Sequence, residues 1–186
     1  MSTALLVIDA QRSFEHRPYW SEEDVPAFIT SLQRLIDRCA AARLPVVQVF
    51  HEDSAAGPDD PFSPQSGLVA TLPQLRIEPR AVFRKSVHSA MFARAADGRT
   101  LERWLRDESI GHVIVSGIRT EQCCETTARH ASDLGFRVSY ALDATLTFPM
   151  VAKSGRTYSA AELKERTELV LAGRFAHVMS AEAVSM

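Results

Sequence analysis

His112-Val113-Ile114-Val115-Ser116-Gly117-Ile118-Arg119-Thr120-Glu121-Gln122-Cys123-Cys124-Glu125-Thr126-Thr127-Ala128 changes its period in mid-course. Up to Ser116 the run is short, β-branched and apolar, as a buried strand requires. Beyond Gly117, the residues Cys124, Thr127, Ala128, Ala131 and Leu134 recur at helical spacing. A strand that gives way to a helix through a glycine-led turn sets two cysteines near a helix N-terminus. Free N–H groups and the positive end of the helix dipole at that place favour thiolate over thiol, and they can also hold an oxyanion.

Reading outward, Leu5 to Ile8, Val46 to Phe50, Ala81 to Phe83, Val113 to Val115 and Val138 to Ala141 have the same strand character, and Ala176 to Met179 is a weaker sixth. Helical patterns lie between them. The clearest carries Val25, Phe28, Ile29, Leu32, Leu35, Ile36, Cys39 and Ala40 on one stripe and ends near Arg43, before Pro45. Others run over about Thr100 to Glu108, Gln122 to Leu134 and Ala160 to Leu171. Continuous apolar strands separated by helices indicate a parallel sheet covered on both faces. The predicted fold is an α/β single-domain three-layer α/β/α sandwich, with a mainly parallel, about six-stranded Rossmann-like sheet over residues 1–186.

Ligand sites in such sheets lie beyond the C-terminal strand ends, and those positions here are chemically loaded. Asp9 follows the first strand, His51-Glu52-Asp53 the second, Arg84-Lys85 the third, the Gly117 to Cys124 turn the fourth and Asp143 the fifth. Ser54 to Arg80, with five of the nine prolines, and Phe148 to Thr157 read as irregular, as lids and specificity loops often do. A carboxylate such as Asp9 can take a thiol proton, and a lysine such as Lys85 stabilises thiolate and carboxylate together, so a depressed thiol pKa is expected.

Composition excludes other classes. A chain of 186 residues with net charge −2 and interspersed charges has no basic stripe for nucleic acid and no polybasic patch for a membrane. No apolar run approaches spanning length, and the first residues lack the pattern of a signal peptide. Three cysteines, two of them adjacent, make no disulfide framework, so a reducing, cytoplasmic setting is expected.

Taken together, Ala4-Leu5-Leu6-Val7-Ile8-Asp9-Ala10-Gln11 with Phe14, Phe83-Arg84-Lys85 with Ser89-Ala90, Val115 to Thr120 through Cys123, and Thr127-Ala128 with Gly135 resemble the isochorismatase-like cysteine hydrolases. That group includes nicotinamidases, N-carbamoylsarcosine amidases, ureidoacrylate amidohydrolases and streptothricin hydrolases. Asp143-Ala144 and Phe175 to Val178 fall where the family has similar closing segments. The resemblance implies hydrolysis of a small amide, lactam or ureido compound through a thioester. Cys123 is then the nucleophile, Asp9 the general base and Lys85 the residue that polarises both. It also implies a non-proline cis peptide at Ile118–Arg119, aiming the N–H groups of Arg119 and Cys123 at the oxyanion. The alternatives are isochorismatase-type opening of an enol ether, a thiol redox sensor built on Cys123 and Cys124, and a non-catalytic member of the fold.

Departures from the family pattern define further expectations. Cys124 stands where the family commonly has Val; one residue along a helix turns a side chain by about 100°, which buries Cys124 against the sheet. Cys39 belongs to the core. Arg119 has two readings, one facing the pocket to select an anionic substrate group and one forming an outward salt bridge. Nicotinamidases of the family bind a metal through an Asp-x-His pair and a further His; His51-Glu52-Asp53 lacks the second histidine, so no metal site is assigned and His51 reads as a pocket-lining or a plain loop residue. Phe14, Tyr19, Trp20, His51 and Phe148, with Phe62 and Pro149, are candidate pocket residues. No cofactor is called for, the partner is a small-molecule substrate, and the family's habit implies a homodimer or homotetramer.

Overall fold

The structure, a computed structural model, describes residues 2–186. In chain order the elements are β1 (Ser2–Ile8), α1 (Val25–Ala41), β2 (Val46–His51), β3 (Ala81–Lys85), α2 (Leu101–Asp107), β4 (Ile110–Ile118), α3 (Glu125–Asp133), β5 (Arg137–Leu146), β6 (Met150–Val151), β7 (Thr157–Tyr158), α4 (Ala160–Leu171) and β8 (His177–Met179). Six strands form one sheet in the order β3-β2-β1-β4-β5-β8, and every neighbouring pair is parallel. No helix among the described residues is long and apolar enough to cross a membrane.

Alternation along β1 explains the three layers. Ala4, Leu6 and Ile8 pack into one core with Trp104 and Leu105 of α2, Ala128 and Ala131 of α3 and Leu171 of α4. Leu5 and Val7 point the other way, into a second core with Phe28, Leu32, Leu35, Ile36 and Cys39 of α1. A strand whose successive residues all meet apolar layers needs no polar face, which is why the strands read as continuous apolar runs. Burying a Leu- or Phe-sized side chain contributes roughly 1.5–3 kcal/mol, so both layers draw on the same strand.

The chain leaves β1 toward β2 on one side and reaches β4 on the other, so the strand order reverses between β1 and β4. That reversal opens a crevice at their C-terminal ends. Gly117 lies there opposite Ile8 in the ladder, at φ +120°. A Cβ on it would sit 1.9 Å from the Ile8 carbonyl oxygen, so only glycine lets the two backbones meet.

Two segments differ from the sequence reading. Within Phe148 to Thr157 the strands β6 and β7 pair as a small antiparallel hairpin; two-residue strands carry too little periodicity to be legible. The segment after Ile118 does not enter an α-helix at Gln122: Thr120–Cys124 form a π-helical turn that runs into α3.

Candidate active site

Three strand ends deliver the chemistry. Asp9 is the first residue past β1, in the left-handed conformation at φ 52°, which aspartate tolerates better than most residues. Lys85 closes β3, and Cys123 rides the π-helical turn after β4. The Lys85 ammonium donates to Asp9 Oδ2 at 2.7 Å and to Cys123 Sγ at 3.4 Å. Both charged side chains are fully buried, at 0% exposure. His51 Nδ1, at 3.2 Å, is the third neighbour of the same ammonium. A lysine has three N–H donors, so these contacts use all of them.

The turn that carries Cys123 is tied down from several directions. Thr127 Oγ1 donates to the Cys123 carbonyl at 2.6 Å and accepts from the Ala90 N–H at 2.9 Å, joining α3 to the segment after β3. Tyr140 donates its hydroxyl to the Thr120 carbonyl at 2.7 Å, and Thr120 Oγ1 bonds Thr145 Oγ1 at 2.8 Å. The Ile118–Arg119 peptide is cis. His51 is held by Gln11, a fully buried amide that acts as an extra strand partner. Its Oε1 accepts the His51 N–H at 2.8 Å and its Nε2 donates to the His51 carbonyl at 2.9 Å. Gln11 stands in the quoted motif, but no spacing rule tells that its side chain would clamp a residue forty positions on.

Electrostatics overturn one expectation. Burial, with Asp9 adding to it, pushes the Cys123 thiol up to about 12, and Lys85 offsets this only in part. The thiol is therefore protonated at neutral pH, contrary to the depressed value read from a helix N-terminus and a neighbouring lysine. The reason is the near-complete removal of sulfur from water, which disfavours the anion more than one shared ammonium favours it. For Lys85, burial works against the charge, but Asp9 and Cys123 outweigh it and the net shift is upward. His51 is shifted down, first by burial and then by the Lys85 ammonium, so its imidazole is neutral at pH 7 and Nδ1 can accept.

Other sequence candidates divide into groups. Phe14 packs edge-on against Phe62 at 5.0 Å, and Phe62 in turn meets the His51 ring at 5.6 Å. Tyr19 and Trp20 gather around Phe148 at 5.6 and 5.1 Å. Cys124 is fully buried under α3, as helix rotation implies, and Cys39 is in the α1 core. Arg119 does not form the outward salt bridge of the second reading. Its side chain is 7% exposed and pairs inward with Glu121, itself 9% exposed, at 3.0 Å, beneath the Tyr19 ring at 4.8 Å. A guanidinium shut away from water needs a counter-charge beside it, and Glu121, two residues on, is the one in reach.

For a metal, Asp9, His51 and Cys123 each offer a ligand atom, all within 4.8 Å of one another. The third candidate is thus Cys123, and not a residue of the His51-Glu52-Asp53 run: Glu52 is engaged by Arg84 at 2.8 Å, and Asp53 caps the Ala55 N–H at 2.9 Å. The Lys85 ammonium bonds all three candidates, so a side-chain cation already holds the place a metal ion would take. The set does not fit a resident metal.

The doubly wound sheet, with ionisable side chains converging at its switch point, defines an α/β protein of the Rossmann-like class. The family model "Isochorismatase domain" matches residues 3–183, and the chain belongs to the isochorismatase family. It is similar to nicotinamidase 3 of Arabidopsis thaliana, 28% identical over 193 residues covering 96% of this chain and 85% of that one. It is also similar to the crystal structure of a proposed hydrolase of the isochorismatase family from Chromobacterium violaceum, at 27% identity and TM-score 0.84 over 97% of this chain and 90% of that one. N-carbamoylsarcosine amidase from Thermoplasma acidophilum shares the fold, with 20% identity and TM-score 0.74 over 100% of both chains.

Proposed function

We propose that the protein is a cysteine hydrolase that cleaves a C–N bond of a small amide, lactam or ureido compound through a thioester on Cys123. The observation that carries this reading is the single ammonium of Lys85 bonded at once to a buried carboxylate and a buried thiol. Asp9 Oδ2 is held by Lys85, while Oδ1 has no hydrogen-bond partner among the described residues. Oδ1 is therefore the oxygen free to receive the thiol proton.

Because the thiol rests protonated, deprotonation and attack go together. Asp9 takes the proton as sulfur bonds to the carbonyl carbon, and the oxyanion is held by the N–H groups of Arg119 and Cys123. Asp9 returns the proton to the leaving nitrogen as the C–N bond breaks. Asp9 then takes a proton from water, whose oxygen attacks the thioester; the acid leaves, and the proton returns to sulfur. Lys85 stays cationic throughout and steadies each anion in turn. The similarity to a nicotinamidase and the fold shared with an N-carbamoylsarcosine amidase, both named for C–N substrates, agree with this chemistry.

Ammonia release from a panel of primary amides and ureido compounds tests the proposal. Activity on at least one, lost in Cys123→Ala and kept in Cys124→Ala, is the expected result. Opening of an enol ether that survives Cys123→Ala, with no amide turned over, would instead favour isochorismatase-type chemistry.

A further inference from the structure

Among the described residues, the buried side-chain atoms without a hydrogen-bond partner are Asp9 Oδ1, Arg119 Nε and Nη2, and Glu121 Oε1. Buried polar groups are almost always paired, so a cluster of unpaired ones calls for an explanation. All four belong to residues just past the C-terminal ends of β1 and β4, on the crevice. Asp9 Oδ1 has a role in the proposed reaction, as the acceptor of the thiol proton. The other three belong to one ion pair, whose Nη2 and Oε1 lie 3.0 Å apart but out of hydrogen-bond alignment. Glu121 Oε2 is already taken by the Thr147 hydroxyl. Tyr19 covers the guanidinium at 4.8 Å and Phe148 flanks it at 5.8 Å. Tyr19 is 37% exposed, so this cover stands between the pair and solvent. Burial raises the Tyr19 phenol and the Arg119 charge works against it; Arg119 leads into, and Glu121 lies within, the Thr120–Cys124 turn that carries the nucleophile.

We infer that the Arg119–Glu121 pair is the substrate-selecting subsite, and that it takes an uncharged planar group with a carbonyl beside an N–H: a carboxamide, a urea or a cyclic ureide. This rests on the amide-hydrolase reading. The carbonyl accepts from the Arg119 N–H groups while the N–H donates to Glu121 Oε1, so the open valences on both residues are filled and no charge is added. A carboxylate fills the arginine side but brings a second anion against Glu121 in a site withdrawn from water. An ammonium makes the converse error against Arg119. Flat groups also suit the aromatic cover of Tyr19 and Phe148.

The test uses succinamide and glutaramide against their monoacids, succinamic and glutaramic acid, two chain lengths that differ in reach. Wild-type kcat/KM for ammonia release is expected to favour the diamide over its monoacid by about tenfold or more, the scale of a like-charge clash. Glu121→Gln keeps the shape and frees the Arg119 charge, so the ratio is expected to fall or reverse. A wild-type preference for the monoacids, or a ratio unmoved by Glu121→Gln, overturns the inference. Melting of the Cys123→Ala protein with each probe separates this from failure of the amide-hydrolase reading. Stabilisation by a diamide and not its monoacid, with no ammonia from wild type, keeps the subsite and rejects that chemistry; equal or absent stabilisation by all four, with no ammonia, rejects the subsite.

Discussion

Replacing Lys85 by Met removes the ammonium and keeps a side chain of similar length, so the pair with Asp9 can be weighed directly. Both partners have 0% side-chain exposure, 2.7 Å apart, and no water can take over for the missing cation. Asp9 Oδ1 is already without a partner, so the variant leaves a carboxylate with both oxygens unpaired. Breaking one half of a buried ion pair costs about 3–5 kcal/mol. Urea unfolding at pH 8, followed by fluorescence of Trp20 and Trp104, reads it. Asp9→Asn added to Lys85→Met restores an uncharged pair and recovers most of the stability, while turnover stays down by at least ~10²-fold because the base is gone. A single variant within about 1 kcal/mol of wild type at pH 8, or a double variant no more stable than the single one, refutes the reasoning.

Two further outcomes follow from the same geometry. Gly117→Ala puts a methyl group 1.9 Å from the Ile8 carbonyl oxygen and 2.7 Å from the Ile8 nitrogen and carbonyl carbon at φ +120°. Overpacking and an unfavourable φ together cost roughly 2–6 kcal/mol, so a melting temperature within a few degrees of wild type contradicts the packing described. Asp9→Asn removes the negative charge that helps hold the Cys123 thiol at about 12 and leaves Lys85 beside it. The pH profile of iodoacetamide labelling at Cys123 is then expected to shift to lower pH as turnover disappears. An unchanged or alkaline-shifted profile means that Asp9 does not act on this sulfur.

Much of the fold and part of the site were legible for physical reasons. Strands buried on both faces must be apolar throughout, so Leu5 to Ile8 and Val113 to Val115 announced themselves, and the switch-point rule then directed attention to Asp9, Lys85 and Cys123. The hairpin of Met150–Val151 with Thr157–Tyr158 is too short to show a period. Gln11 and Glu121 escaped notice because their roles are tertiary. One amide imitates a strand for His51, and one carboxylate turns inward because Arg119 is buried beside it. The thiol's ionisation was misread because a local rule, the helix N-terminus, was outweighed by burial, and burial depends on the whole packed molecule.

The central claim, that Cys123 carries the acyl group, is tested most directly by acid-quenching the enzyme during amide turnover and mapping the modified peptide. Cleavage after Arg119 and Arg129 releases Thr120 to Arg129 with both candidate thiols, and fragmentation between them assigns the adduct. The account predicts the acyl mass on Cys123, with Cys124 unmodified. Acyl mass on Cys124, or steady amide turnover by Cys123→Ala, would contradict it.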